Sequence, residues 1–207
     1  MHFSPILTDV QMAWLEANGY SPHSLIARGK SAGVWLVQKN GMKFAAKCEH
    51  EKSYRKQMLE REVLQLKMAN EIGIGPQLID SSAEARIIIM AFIDGVTLHA
   101  FIAQCDDKKL LLRVVAELFA QAEKLDRAGI DHGQLGGKLA NILVDKKKHV
   151  FIIDFEKASY VRKTHNVSQL KHALFGGKTI PSKLLLKMLK VEAAAREWIP
   201  QHAADST

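Results

Sequence analysis

Residues 130–159, IDHGQLGGKLANILVDKKKHVFIIDFEKAS, predict a short β-hairpin with polar side chains at both of its ends. Two apolar runs, Asn141 to Val144 and Val150 to Ile153, flank a lysine-rich turn. A polar loop that contains His132 precedes the first run, and Asp154 follows the second run directly. Amide and carboxylate oxygens in such positions are suited to a metal-bound phosphate. The upstream sequence must supply the rest of such a site.

The composition predicts a chain that folds alone, as one large domain or two small lobes. Its 207 residues are 47% hydrophobic, and its net charge of +7 suits an anionic partner, whether nucleotide, acidic protein or RNA. Cys48 and Cys105 lie outside any metal-ligand spacing, which predicts free thiols in a reducing compartment. The sequence shows no apolar run near the length of a membrane span and no signal-peptide pattern. A cytoplasmic location without a membrane partner is therefore expected.

The first elements are a helix, predicted from Thr8 to Asn18, and two strands, Leu25 to Arg28 and Val34 to Val37. The apolar side of the helix is expected to consist of Val10, Met12, Ala13 and Leu15. The strands enclose the turn Gly29-Lys30-Ser31-Ala32-Gly33, whose N–H groups could approach phosphate oxygens; an ordinary hairpin is the alternative. A Walker A motif does not fit, because Ser24 stands where its first glycine is required.

A lysine and a glutamate in the next two elements are expected to pair. An Asn40-Gly41 hairpin signal leads into a strand from Lys43 to Cys48, and a helix follows from Glu51 to Glu71. Glu62 lies at the border of the apolar stripe of this helix, where an unpaired carboxylate would be costly to bury. Lys47 is its expected partner, although a strand lysine taken alone is usually solvated.

The remaining elements alternate short strands with helices. The predicted ranges are strands at 77–79 and 86–92, a turn at Asp94-Gly95, and helices at 98–103, 108–127, 165–174 and 182–198.

This order of motifs resembles the eukaryotic-type protein kinase fold. The resemblance is closer to its compact atypical members, the RIO kinases and the kinase subunit of the KEOPS tRNA-modification complex, and it covers residues 25–159. It implies an α+β, bilobal fold. Residues 1–93 would form the N-terminal helix and an N-lobe of antiparallel sheet with one helix, and residues 94–207 a reduced, mostly helical C-lobe.

The resemblance implies that ATP is the nucleotide. Phe44-Ala45-Ala46-Lys47 matches V-A-I-K, so Lys47 would hold the α- and β-phosphates, and Glu62 matches the helix glutamate that pairs with that lysine. The segment Ile89 to Gly95 is similar to the family hinge, where backbone groups of Ala91 and Ile93 would meet the adenine with Met90 behind it. The implied phosphate-covering residues are Gly29, Ser31 and Gly33.

The same resemblance assigns a metal site and a catalytic loop. Asn141 and Asp154 fall where the family binds its divalent cation, which implies Mg²⁺. If Gly136-Gly137 is an insertion, Lys138 keeps the family position from which it would neutralise the transferred phosphoryl group. Gln134 stands where the atypical kinases have their catalytic aspartate, and a carboxamide cannot take up a proton.

Other departures bear on activity. Asp131 is a candidate substitute for the missing base, with a loop residue that bonds backbone N–H groups as the alternative, and His132 is expected to brace the loop. Glu156 replaces the glycine after Asp154-Phe155, which implies a fixed conformation or a second carboxylate near the metal; a solvated loop residue is the alternative. No A-P-E motif follows, so substrate recognition is expected to be narrow or supplied by a partner protein.

The expected function is an ATP- and Mg²⁺-dependent protein kinase-like phosphotransferase, slow, and directed at Ser or Thr or at itself. A positioned base contributes on the order of 10² to 10⁴ in rate, so Gln134 slows transfer without forbidding it. A nucleotide-binding pseudokinase that acts as a regulatory or scaffold module is the alternative. A third hypothesis is RNA association through Lys146-Lys147-Lys148 and the tail lysines 183, 187 and 190. The alternative is that these lysines only form a solvated hairpin tip and a solvated helix face.

Overall fold

The computed structural model describes residues 7–50, 58–137 and 139–189, and the chain divides into two compact units. Met1–Asn70 and Pro76–Ile93 form one unit, and Glu71–Gly75 and Asp94–Thr207 form the other. The architecture is α+β, which confirms the predicted class.

The first unit is built on a five-stranded antiparallel sheet in the order β1-β2-β3-β5-β4. Its elements are α1 (Asp9–Ala17), β1 (Ser21–Arg28), β2 (Ala32–Lys39), β3 (Met42–Glu49), α2 (Met58–Glu71), β4 (Leu78–Ser82) and β5 (Ile87–Ala91). The sheet is thus assembled almost entirely from neighbours in the chain, joined by tight turns.

Alternation along β3 sends its side chains to opposite faces of the sheet, as predicted. Ala46 and Cys48 point into an apolar core that α1 completes with Leu15. Ala45 and Lys47 are buried on the other face, where Lys47 contacts Glu62 of α2. The core on the first face consists of Leu7, Leu15, Tyr20, Val37, Ala46, Cys48, Ala85, Ile87 and Ile89.

The β2–β3 hairpin fixes the register of the sheet. Asn40 and Gly41 adopt φ values of 51° and 76°, the left-handed conformation that a two-residue hairpin turn with matching twist requires, which confirms the Asn-Gly signal. Lys39 consequently pairs with Met42, and the ladder continues in step to Ala32 and Glu49.

β1 forms one edge of the sheet and is exposed along most of its length. Its pairing with β2 is irregular at two places, between Pro22 and Ser24 and between Leu25 and Ala27. Leu25 and Ile26 are 37% and 44% exposed. Each irregularity bends the strand and interrupts the regular row of backbone groups.

The second unit combines helices with a three-stranded antiparallel sheet in the order β6-β7-β8. Its elements are β6 (Gly95–Thr97), α3 (Leu98–Gln104), α4 (Lys108–Arg127), β7 (Ile142–Asp145), β8 (Val150–Ile152), a 3₁₀ turn (Phe155–Lys157), α5 (Asn166–Phe175) and α6 (Ile180–Leu189). α4 has the predicted bounds because Asp107 caps its first N–H groups and its inward stripe is apolar.

Two local predictions in the first unit are wrong. Val10 is 57% exposed, and Gln11 is buried in its place, because the Gln11 side chain completes a capping box with Thr8 and donates to the Glu49 carbonyl at 2.9 Å. Gly33 does not lie in the turn: β2 begins at Ala32, so Gly33 is a buried strand residue that faces Cys48.

A third correction concerns Asp94-Gly95, which was expected to form only a turn. Gly95 begins β6 and pairs with Asp145, and a Cβ at this position would stand 2.5 Å from the Val144 carbonyl oxygen. The three-residue strand is too short to show a period of two, so no sequence pattern predicts it. Glycine is required here by the close approach of two backbones.

Some predictions lie partly or wholly outside the described residues. These are residues 51–57 of the helix predicted from Glu51 to Glu71, Lys138, and the part of the last predicted helix and basic tail from Lys190 onward. Among the helices that the structure describes, none combines the length and the hydropathy that a membrane crossing needs.

The two thiols are expected to differ in reactivity. Burial raises the pKa of Cys48 to about 12, so its nucleophilic thiolate is scarce at neutral pH, whereas Cys105 is only half-buried. Native protein treated with iodoacetamide at pH 8 should be alkylated at Cys105 and not at Cys48, as mass spectrometry of the tryptic peptides would show. Equal labelling of both residues without denaturant would contradict the packing of β3.

Candidate functional site

A buried ion pair joins β3 to α2. The Lys47 ammonium lies 2.8 Å from Glu62 Oε1 and 2.7 Å from Oε2, and the two side chains are 10% and 5% exposed. The strand period placed Lys47 on the face toward α2, and the helix period placed Glu62 toward the sheet. The structure thus brings together the two residues that the sequence predicted to pair.

Glu62→Gln should lower the free energy of unfolding by about 3 kcal/mol, because it removes the carboxylate that contacts the buried Lys47 ammonium. The double change Lys47→Met with Glu62→Leu should recover much of that loss, since no charge then remains. Urea denaturation measures both. Glu123→Gln, which breaks the exposed Arg127–Glu123 pair on α4, is the matched control and should cost less than about 1 kcal/mol. Equal losses for the buried and the exposed pair would contradict the assignment.

The glycine-bearing turn between β1 and β2 is closed by its own backbone. Gly29 N–H donates to the Ala32 carbonyl at 2.8 Å, and the Ser31 carbonyl accepts from the His50 N–H at 2.9 Å. Gly29 N–H is therefore not available to a phosphate. The N–H groups of Lys30 and Ser31 have no acceptor among the described residues. These two groups are therefore the ones in the turn that could bind a phosphate oxygen.

The segment predicted as the hinge lies at the end of β5 and just beyond it. Met90 and Ala91 are half-buried strand residues, and Ile93 lies just beyond the strand. The Ala91 N–H donates to the Gln77 carbonyl at 2.8 Å, so it is not available as a donor to an adenine. The group of Ala91 that could contact an adenine is its carbonyl, as an acceptor. A donor to the ring would have to come from Ile93.

Asn141 and Asp154 meet at one end of the β7–β8 hairpin. Ile142 pairs with Ile152, and the Ile153 N–H donates to the Asn141 carbonyl at 2.9 Å, so Asp154 directly follows the residue bonded to Asn141. Asp154 has φ 66°, a left-handed conformation that turns the chain at this point. A carboxylate and a carboxamide are hard oxygen donors of the kind Mg²⁺ prefers, so the residues present fit that ion. Within the described ranges, no group of three or more His, Cys, Asp or Glu side chains is arranged to bind a metal.

His132 braces the two loops from inside. Its side chain is fully buried, its Nε2 lies 3.0 Å from the Ile153 carbonyl, and its ring packs edge-on against Phe155 at a centroid distance of 5.0 Å. Its backbone N–H donates to the Asn166 side chain at 2.9 Å. These contacts are those expected of the bracing role.

Burial lowers the pKa of His132 below its usual 6.5, against weaker opposing effects of the Ile153 carbonyl, Asp154 and Asp131. Neutral His132 stays neutral on folding, so its stability contribution is complete above pH 6.5. It is lost as the pH falls below 6.5, where the unfolded chain takes up a proton that the folded chain refuses.

The free energy of unfolding should therefore decrease from pH 7 to pH 5 by up to about 1.4 kcal/mol per pH unit from this residue. Urea titrations of wild type and His132→Asn across that range test this, and the variant should have the flatter profile. His149→Asn, which alters an exposed histidine, is the control and should run parallel to wild type. Parallel profiles for wild type and His132→Asn would refute the buried neutral histidine.

Asp131 is buried, and both of its carboxylate oxygens accept hydrogen bonds. Oδ2 accepts from Arg162 Nε at 2.8 Å, and Oδ1 accepts from the His165 N–H at 3.3 Å. This arrangement favours the alternative in which Asp131 is a loop residue over the one in which it replaces the base.

Gln134 stands at the rim of a cavity of about 390 Å³. Its Oε1 is buried and has no hydrogen-bond partner in the described part of the chain. Among the described residues that line this space, three carry a carboxamide and none carries an ionisable side chain. The lining residues are Gly133, Gln134, Gly136, Gly137, Ala140, Asn141 and Gln169.

Two residues of this site, Gln169 and Asn166, were not predicted from the sequence. Gln169 of α5 accepts a hydrogen bond from the Gly136 N–H at 3.2 Å, which attaches this loop to a helix. Asn166 is fully buried and donates to the Ile130 carbonyl at 2.7 Å and to Asp126 at 2.8 Å. Both lie beyond the range of local motifs, and only the preference of buried amides for hydrogen-bond partners could have singled out Asn166.

The remaining predicted residues lie on the surface or in turns. Glu156 is half-buried in the 3₁₀ turn after Asp154. Lys146 pairs with Asp94 at 2.6 Å, and Lys148 stands over the Phe101 ring at 5.8 Å. These contacts suit a solvated hairpin tip, and RNA association stays a prediction.

Comparison with known proteins finds one matching family model and two similar proteins that bear on the identity of this chain. A family model described as the RIO domain matches residues 37–173, more than half of the chain. An uncharacterized protein of Methanocaldococcus jannaschii is 37% identical over 87 residues, which cover 42% of this chain and 72% of the relative. The KEOPS complex subunit Bud32 of Pyrococcus abyssi is 32% identical over 107 residues, 51% of this chain. The matched part is about half (47%) of the length of that subunit.

Proposed function

The chain belongs to the RIO domain family of atypical kinases, and on this premise we propose that it is an ATP- and Mg²⁺-dependent phosphotransferase acting slowly on Ser or Thr hydroxyls, its own included. The observation that carries the proposal is the buried Lys47–Glu62 pair. Burying two charges is costly, and a hydrophobic pair of similar size is often about as stable. A positively charged, oriented lysine that shares its face of β3 with the small residue Ala45 is explained by an anionic ligand.

Each group has a distinct task in the proposed reaction. Glu62 fixes the Lys47 ammonium, which contacts the α- and β-phosphates and withdraws charge from the leaving group. Asn141 and Asp154 would hold Mg²⁺, and the ion would supply neutralisation of the phosphate charge. Phosphoryl transfer proceeds through a loose transition state, so orientation and charge neutralisation contribute most of the acceleration.

Gln134 orients the acceptor in this scheme and does not take its proton. Its carboxamide can accept a hydrogen bond from a hydroxyl, but it cannot become protonated at useful pH. The acceptor hydroxyl then loses its proton to solvent or to the phosphate oxygens. The absence of a positioned base lowers the rate by about 10² to 10⁴.

The cavity beside Gln134, which we name the acceptor cavity, is suited to a small, neutral side chain that bears a hydroxyl group. Three carboxamides, those of Gln134, Asn141 and Gln169, line it together with glycines and Ala140. Such a lining recognises an acceptor by hydrogen bonds and gives little apolar contact area for a flanking peptide. A partner protein is therefore proposed to present the substrate, in keeping with the assembly for which the Pyrococcus relative is named.

Incubation with γ-labelled ATP and Mg²⁺ tests the proposal. Wild type should incorporate label slowly, and Lys47→Ala and Asp154→Asn should each reduce the rate about 100-fold or more, because each removes charge stabilisation from the transition state. Chelation of Mg²⁺ by EDTA should abolish incorporation.

Two matched variants control for nonspecific loss. Lys39→Ala changes a strand lysine that lies over the Tyr20 ring, and Asp145→Asn changes a carboxylate at the opposite end of the β7–β8 hairpin. Both should retain the wild-type rate. Incorporation that is absent, or that survives Lys47→Ala and Asp154→Asn, rejects the kinase proposal.

A nucleotide-binding pseudokinase is the second candidate, and Gln134 is the observation that favours it. A magnesium-dependent rise in Tm with ATP, lost in Lys47→Ala and unaccompanied by label transfer, would select this function. The absence of any shift with ATP would reject both candidates.

A further inference from the structure

Arg162 joins the segment after Asp154 to the loop that carries Gln134. Its Nε and Nη2 both lie 2.8 Å from Asp131 Oδ2, and Nη2 also donates to the Lys157 carbonyl at 2.7 Å. The Asp131 side chain is 5% exposed and that of Arg162 is 49% exposed. One guanidinium thus bridges a buried carboxylate in one loop and a backbone carbonyl in the other.

A short backbone ladder runs beside this bridge. The N–H groups of Asp131 and Ser159 each donate to the carbonyl of the other, both at 2.8 Å. Ser159 Oγ accepts from the N–H groups of Val161 and Arg162 at 3.3 Å, which turns the chain so that Arg162 points back toward Asp131.

Gly133, in the loop that carries Gln134, lies directly against the Arg162 guanidinium. Its φ is 76°, and a Cβ built on it would stand 2.5 Å from Arg162 Nη2 and 2.9 Å from the Lys157 carbonyl oxygen. Arg162 therefore packs directly against the backbone that precedes Gln134. Gly133 also lines the cavity beside Gln134, so one residue has the arginine on one side and the acceptor space on the other.

A lysine could not reproduce these contacts. The guanidinium is a planar fork with five donors, which lets it bond Asp131 and the Lys157 carbonyl at once, whereas an ammonium is a compact point charge on a flexible stem. The bridge is also independent of any modification, because the carboxylate that pairs with Arg162 belongs to the chain itself.

We propose that Arg162 is a positioning residue for phosphoryl transfer. It holds Gly133 and Gln134 in place relative to the segment that follows Asp154, so that the acceptor-orienting and metal-binding groups stay aligned without phosphorylation of that segment. This inference rests on the proposed function, since Arg162 touches no reacting atom and acts through Asp131 and Gly133.

Steady-state phosphoryl transfer by Arg162→Ala, Arg162→Lys and a control, Arg127→Ala, tests the proposal. Arg127 is an exposed arginine of α4 that pairs with Glu123 on the same helix. At a temperature well below each variant's Tm, Arg162→Ala should lower kcat about 10- to 100-fold, the loss expected from a small misplacement of reacting groups. The KM for ATP should change less than about 3-fold, because Lys47 and Glu62 are untouched. Arg162→Lys should restore part of kcat, and Arg127→Ala should match wild type.

A double-mutant cycle with Asp131→Asn shows whether Arg162 acts through Asp131. Arg162→Ala should cost much less in the Asp131→Asn background than in wild type, since the bridge is already lost there. Full additivity, or a kcat of Arg162→Ala within 2-fold of that of Arg127→Ala, overturns the positioning role.

Amide hydrogen exchange separates failure of this inference from failure of the proposed function. The amides of Asp131 and Ser159 should exchange at least about 10-fold faster in Arg162→Ala than in wild type, and at the wild-type rate in Arg127→Ala. If wild type transfers no phosphoryl group, the kinase proposal fails, and faster exchange in Arg162→Ala still upholds the bridge. Unchanged exchange rejects the bridge whether or not the protein is active.

Discussion

The first unit depends on the burial of Lys47 opposite Glu62. A charged lysine at 10% exposure requires a carboxylate within contact distance, and Glu62 meets that requirement only if α2 lies against β3 at one register. Apolar contacts alone would tolerate small slides of the helix along the sheet, because they are non-directional. The ion pair does not, since a shift of one residue turns Glu62 away from the strand. The pair therefore selects one arrangement of helix on sheet more than it adds to stability.

The second unit solves a different problem, which is to hold two polar loops in fixed positions. His132 has no charge to contribute and instead fills the space beneath Ile153 and Phe155. Asn166 ties the preceding backbone to α5 through bonds to Ile130 and His132. The loop is thus held by these hydrogen bonds and by packing, in addition to the Arg162–Asp131 ion pair.

The sequence predicted the parts that local periodicity and pairwise chemistry control. The bounds of α4 follow from a cap and a helical period, and the Asn40-Gly41 turn follows from its turn signal. The Lys47–Glu62 pair follows from the strand period and the helix period of two consecutive elements. Prediction from the sequence failed where partners are remote: Gln11 bonds Glu49, 38 residues away, Arg162 bonds Asp131, 31 residues away, and Gln169 bonds Gly136, 33 residues away. No local pattern distinguishes these side chains from solvated ones. Gln169 was therefore missed as a lining residue of the cavity beside Gln134, because α5 reaches this loop only through the tertiary fold.

The edge formed by β1 has a consequence for the behaviour of the chain in solution. An exposed, regular strand edge is a template on which another strand can add, and the exposure of Leu25 and Ile26 would favour such addition. The two register breaks, together with a proline that lacks an N–H, leave too few consecutive donors and acceptors in line for a second strand to pair. The irregularity of β1 therefore protects the protein against edge-to-edge aggregation, and an idealised strand in its place would be more ordered and less soluble.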